Sequence, residues 1–244
     1  MKKPITSRKS TRPTFRPDLE SLETRLTPTT YTVSSLADSG PGSLRAAITS
    51  VNGDTTADVI DFSVAGVIQL TSGALPAITN SVEIDGTSAP GYGSVPVVEI
   101  DNNGFAGLTL SGANSTLNSL SIVKASGPGV TLEGDNITVI GNRIGIAING
   151  SVAGNTGVGL FVDNSSGDTI GGTAPATGNT IGGNGGAGIQ LGSSGSAQFL
   201  QKATILGNVI GIQGSLSFPN QGNGITIFST GNTIGGTASG TPKR

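Results

Sequence analysis

Between residues 141 and 235 the chain repeats one five-residue phrase five times: Gly, then Asn or Asp, any residue, Ile, Gly. The copies begin at Gly141, Gly167, Gly178, Gly207 and Gly231. A single aliphatic residue fenced by turn formers is a poor start for a helix, since each interior Gly costs a helix roughly 1 kcal/mol. It suits a chain that makes short strands and bends sharply between them, as solenoids do. A second phrase, Gly followed by two aliphatic residues flanking a variable one, reads Gly107-Leu108-Thr109-Leu110 and Gly129-Val130-Thr131-Leu132. It returns as Gly159-Leu160-Phe161-Val162, Gly188-Ile189-Gln190-Leu191 and Gly224-Ile225-Thr226-Ile227. The first two copies lie 22 residues apart, so one coil is about 22 residues, and the wider later spacings are inserted loops.

The competing repeat architectures fail on composition. A leucine-rich horseshoe has its own Leu and Asn spacing, which is missing, and a propeller of aromatic blades is disfavoured in a chain with no Trp. Aromatic residues are 4% and Gly numbers 40, so the core is stacked from many small aliphatic side chains. The expected fold is all-β, a right-handed parallel β-helix (solenoid) with a short N-terminal capping helix. Leu108, Leu110, Val130, Leu132, Leu160, Val162, Ile189, Leu191, Ile225 and Ile227 are expected to line one inner face. Ile144, Ile170, Ile181, Ile210 and Ile234 are expected to line another, and Thr109, Thr131, Phe161, Gln190 and Thr226 to point outward. Gly and Asn at the corners tolerate positive φ, and neighbouring Asn residues can ladder from coil to coil.

Three segments follow from this reading: a basic leader or targeting segment over 1–30, an N-terminal cap with first coils over 31–104, and β-helix repeats over 105–244, read as truncated at the C-terminus. Residues 1–30 carry a net charge of +4 against −6 for the rest, and hold four Pro with no apolar stretch. The basic start of a signal peptide is there and its apolar core is not. Beyond it, Tyr31-Thr32-Val33 begins a strand, and Ser43 is placed to cap a helix in which Leu44, Ala47 and Ile48 share a face. Strands are expected at Val59–Phe62, Val67–Leu70 and Val82–Ile84. A helix over the first rung protects an edge that otherwise offers its backbone to other chains.

Two stretches resemble known families. The string Asp38-Ser39-Gly40-Pro41-Gly42-Ser43-Leu44-Arg45-Ala46-Ala47-Ile48, with Ile84-Asp85-Gly86-Thr87-Ser88-Ala89-Pro90-Gly91-Tyr92 after it, is similar to the N-terminal cap of bacterial right-handed β-helix repeat proteins, including those called polymorphic outer-membrane-protein-like. The Asn/Asp-Thr-Ile-Gly-Gly-Thr blocks resemble the repeats of the same proteins. Residues 15–28, built on Leu-Glu-x-Leu-Glu-x-Arg, resemble a short N-terminal motif of large surface or secreted proteins of environmental bacteria. The resemblance implies a secreted or surface-exposed solenoid without assigned enzymatic activity.

The chemistry available is narrow. With no His and no Cys, imidazole and thiolate chemistry are excluded, together with disulfides and Cys- or His-ligated metals. Because β-helices commonly host polysaccharide lyases and hydrolases, clustered carboxylates beside a cation are the feature to seek. The candidates are Glu133, Asp135 and Arg143, with Asp163 and Asp168 as a second pair; Asp168 also fits as a corner residue in a slot that is Asn in the other copies. Gly182-Gly183-Asn184-Gly185-Gly186 lacks the Asp of a calcium β-roll, so no metal and no cofactor are expected. The leading expectation is a non-catalytic extracellular, cell-surface or outer-membrane protein with an adhesion, cell-envelope or glycan-contact role. Its partners would be glycans or envelope components, with no nucleic acid and no transmembrane helix. A polysaccharide lyase or glycoside hydrolase is the alternative, and an ice-binding solenoid a third.

Overall fold

The computed structural model describes residues 27–194, 201–213 and 216–235. Residues 1–26 of the leader, with the Leu-Glu-x-Leu-Glu-x-Arg motif, and residues 195–200, 214–215 and 236–244 lie outside the described residues, and Thr30 already belongs to the first strand. The chain winds through three parallel sheets. Sheet A holds Thr30–Val33, Asp58–Phe62, Val82–Asp85, Thr116–Asn118, Thr138–Ile140, Thr169–Gly171, Thr204–Leu206 and Thr233–Ile234. Sheet B holds Gly66–Gln69, Val98–Asp101, Ser121–Val123, Arg143–Ile144, Thr180–Ile181 and Val209–Ile210. Sheet C holds Leu108–Leu110, Val130–Leu132, Leu160–Val162, Ile189–Leu191 and Ile225–Ile227. The path runs A, B, C and back to A, which makes the molecule a parallel β-helix. Sheets A and B continue without a break through residue 105, where the repeats become legible.

The register follows the second phrase. Leu108, Val130, Leu160, Ile189 and Ile225 are successive partners, as are Leu110, Leu132, Val162, Leu191 and Ile227. These are the ten residues predicted for one inner face, and the first eight are buried in a single core cluster. The Gly before each of the first four strands has a packing reason. A Cβ on Gly159 would lie 2.7 Å from both Gly188 O and Ile181 Cγ2 and 2.8 Å from Asn184 Nδ2, so only Gly fits there.

The isoleucine column requires correction. Ile144, Ile181 and Ile210 stack on sheet B, whereas Ile170 and Ile234 belong to sheet A. The five-residue phrase therefore serves two different corners, since both take an inward side chain whose oxygen accepts a backbone N–H from the coil before. On the last described coil Ile234 is 47% exposed, although its partner Ile205 is buried.

The Asn ladders form as expected. At the A-to-B corner Asn142 Oδ1 accepts from Leu120 N–H at 2.9 Å and its Nδ2 donates to Leu117 O and Ile140 O. The backbone N–H of Asn142 donates to Asn179 Oδ1, and that of Asn179 to Asn208 Oδ1. At the B-to-C corner Asn155, Asn184 and Asn220 repeat the arrangement. The backbone leaves the sheet ladder at a bend, and the side-chain amide supplies the partners that it loses there. The helix α1 (Leu44–Val51) caps the first coil. Ser43 Oγ accepts from Ala46 N–H at its N-terminus, and Leu44, Ala47, Ile48 and Val51 are buried against the core.

Candidate functional site

Of the three outer faces, sheet A presents a column of threonines in register, Thr116, Thr138, Thr169, Thr204 and Thr233, and sheets B and C carry the candidates Arg143 and Glu133. On sheet B, Val98 and Ile100 point into the core, so Glu99 and Asp101 point outward, as do Ser121 and Arg143 on the following coils. All four are engaged. The segment after Arg143–Ile144 folds back as a small hairpin closed by the antiparallel bridge Ile146–Val152. Its Ile148 N–H donates to Glu99 Oε2 at 2.8 Å, and its Ile146 carbonyl accepts from Ser121 Oγ at 2.7 Å. Arg143 Nη1 donates to the carbonyls of Ala147 and Ile148 at 3.4 and 3.1 Å, and burial draws its pKa down. Asp101 pairs with Lys124 at 2.6 Å, a hydrogen bond that holds the lysine pKa up. This face is an anchored roof.

Sheet C is open. Its outward column runs Thr109, Thr131, Phe161, Gln190 and Thr226 in register, all half-buried. At about 4.8 Å per coil the column spans roughly 19 Å. The next outward position on each coil gives Ser111, Glu133, Asp163, Gly192 and Phe228. Glu133 N–H donates to Leu110 O and Asp163 N–H to Leu132 O, both at 2.8 Å, so these residues continue the ladder and stand on adjacent coils. Ser111 Oγ donates to Glu133 Oε2 at 2.7 Å. The face thus carries Phe161 at mid-column and Phe228 on the last described coil, beside two carboxylates and among hydroxyl and amide groups.

The structure regroups the residues predicted from sequence. Glu133 and Asp135 lie at the C-to-A corner, but Arg143 lies on sheet B, across the lumen from that corner. Asp135 Oδ1 accepts from Ser166 N–H at 2.9 Å and serves the corner. Asp163 does not join Asp168, which is fully buried. Asp168 Oδ1 accepts from Ile137 N–H at 2.9 Å, as Asn232 Oδ1 does from Ala203 N–H two coils later. Burial raises the Asp168 pKa. Ser165 Oγ lies 2.5 Å from both Gly134 O and Asp168 Oδ2 and is the donor between them, its one hydrogen shared by the two acceptors. The bond to Asp168 opposes the upward shift without cancelling it.

The acidic residues of sheet B went unseen in the sequence, although a signal was present. Val-Glu-Ile-Asp occurs twice, at Val82–Asp85 and Val98–Asp101. In the first copy Glu83 is exposed; in the second Glu99 is buried under the hairpin. At the cap, Asp38 accepts from the backbone N–H groups of Thr71 and Ser72 and pairs with Arg45 at 2.5 Å. Burial pushes the Asp38 carboxyl up, and the hydrogen bonds from Ser72, Arg45 and Thr71 together outweigh it, holding the pKa well below the usual carboxylate range.

No helix among the described residues is long and apolar enough to cross a membrane. No protein-family model and no curated protein matches the sequence. Among solved structures, the chain is similar to the 1.7 Å crystal structure of Jun a 1, the major allergen from cedar pollen, at a TM-score of 0.51 and 20% identity. The match covers 74% of this chain and 53% of that one, so the chain spans about half the length of the allergen. At that identity the likeness is one of fold, and the parallel β-helix is what the two have in common.

Proposed function

We propose that this chain is a bacterial β-helix repeat protein acting at the cell surface or outside the cell, and that it makes non-catalytic contact with glycans or envelope components through the outer face of sheet C. The observation that carries the reading is the open column from Thr109 to Thr226 with Phe161 at its centre. Sheet B, by contrast, spends its charged side chains on its own hairpin. Arg143, the cation that a lyase reading needs beside Glu133, is held there by two carbonyls. The test is incubation of the protein with a panel of soluble polysaccharides, scoring retention and reducing-end release separately. Retention without release is the expected outcome. No retention of any glycan would refute the proposal.

One observation favours a second reading. The backbones of Glu133 and Asp163 stand on adjacent coils about 5 Å apart along the ladder, a spacing from which two carboxyl groups can reach the separation used by retaining glycosidases. Release of reducing ends that both Glu133→Gln and Asp163→Asn abolish would replace the binding reading with hydrolysis.

A further inference from the structure

The charge distribution around sheet C selects among glycans. We infer that this face takes a neutral glycan chain lying along the solenoid axis and rejects polyanionic ones; the inference rests on the glycan-contact reading above. Four cationic residues fall in the described part of the chain, and none serves this face. Arg45 is paired with Asp38 at the cap. Lys124 and Arg143 are engaged on sheet B. Lys202 stands at the C-to-A corner one coil beyond Asp163, two residues before the sheet A strand Thr204–Leu206 and outside the Phe161 column. The charges that do border the Phe161 column are Glu133 and Asp163.

A uronate polymer laid on Phe161 would bring its carboxylates against those two with no counter-charge, an arrangement that costs binding energy. A neutral sugar meets complementary groups. The apolar face of a pyranose ring stacks on the Phe161 ring, whose neighbours along the column are Thr131 and Gln190. Ring hydroxyls donate to the Glu133 and Asp163 carboxylates, and such charge-assisted hydrogen bonds are roughly twice as strong as neutral ones. The coil repeat of about 4.8 Å is close to the length of one extended sugar unit, so successive rings meet successive coils.

The experiment is calorimetric titration of the full chain at low salt with cellohexaose, mannohexaose and xylohexaose, and in parallel with hexagalacturonate. At least one neutral hexaose is expected to bind, and hexagalacturonate not to bind. Phe161→Ala should weaken neutral binding about tenfold or more, as truncation of a central aromatic anchor does, while far-UV circular dichroism stays unchanged because the ring is outside the core. The double variant Glu133→Gln, Asp163→Asn should weaken the neutral ligand and raise hexagalacturonate affinity. Hexagalacturonate binding as tight as the neutral ligands overturns the inference and leaves the contact face standing. Absence of any binding, or binding that Phe161→Ala does not change, removes the face itself.

Discussion

Asp168 shows how much one buried carboxyl decides. Its neighbours on that corner are Asp135 from the coil before, Asp163 on its own coil and Lys202 on the coil after; Asp135 adds to the upward shift that burial causes. A carboxyl with a raised folded pKa binds its proton more tightly folded than unfolded. The group's stabilising contribution is therefore complete below the unfolded pKa near 4 and is lost as pH rises through the folded value. Asn in its place carries no charge to bury and keeps an oxygen to accept from Ile137 N–H. Asp168→Asn should raise the melting temperature at pH 7, with the gain vanishing near pH 3; thermal melts across that range provide the check. The sequence showed that Asp168 occupies an Asn-type slot. It did not show which corner, because Gly-Asn-x-Ile-Gly is spelled alike where the chain enters sheet A and where it enters sheet B.

Among the elements, the Asn ladders and the cap hold the coils in register. Asn179 Oδ1 receives the Asn142 N–H, and its Nδ2 donates to Val139 O at 2.8 Å in a buried corner. Asn179→Ala leaves these groups without partners and should cost about 1–3 kcal/mol for each orphaned group, measured by urea unfolding. The Asp38–Arg45 clamp ties α1 to the loop at Thr71–Ala74, where Arg45 also donates to the Gly73 and Ala74 carbonyls. Because the Asp38 pKa is lowered on folding, its stabilisation is present above the usual carboxylate range and is lost as pH falls through the folded value. Asp38→Asn should destabilise by about 2 kcal/mol or more at pH 7, and the difference from the parent should shrink in strong acid. The capping helix was legible from Ser43 and the spacing of Leu44, Ala47 and Ile48. The clamp was not, since nothing in sequence shows that Asp38 meets residues 33 and 34 positions later.

Across the whole molecule, stability in a solenoid is close to a sum of nearest-neighbour coil contacts. Inner residues midway along the stack, such as Leu132 and Val162, are fully buried, whereas Ile227 and Ile234 on the last described coil are 44% and 47% exposed. Hydrogen exchange should grade accordingly, with the amides of Val130–Leu132 among the slowest and those of Ile225–Ile227 and Thr233–Ile234 among the fastest strand amides; uniform protection along the stack would contradict this. Three sheets and one complete inner face were legible because period and register are local properties. The pairing of Glu133 with Asp163 was not, because it depends on how many residues each corner absorbs. Two residues before each sheet A strand from Thr116 onward the backbone is left-handed, at Asn114, Asn136, Gly167, Lys202 and Gly231, whatever length of chain precedes it.

That last regularity separates the framework from its decoration. Each hinge resets the path before the next rung, so the hairpin at 146–152 extends one coil while its strands stay aligned with those above and below. A foreign peptide spliced between Asn149 and Gly150 should project from the flank as a display loop, with the parent's cooperative melt retained. A chain built this way can acquire new surface one corner at a time, without recutting its interior.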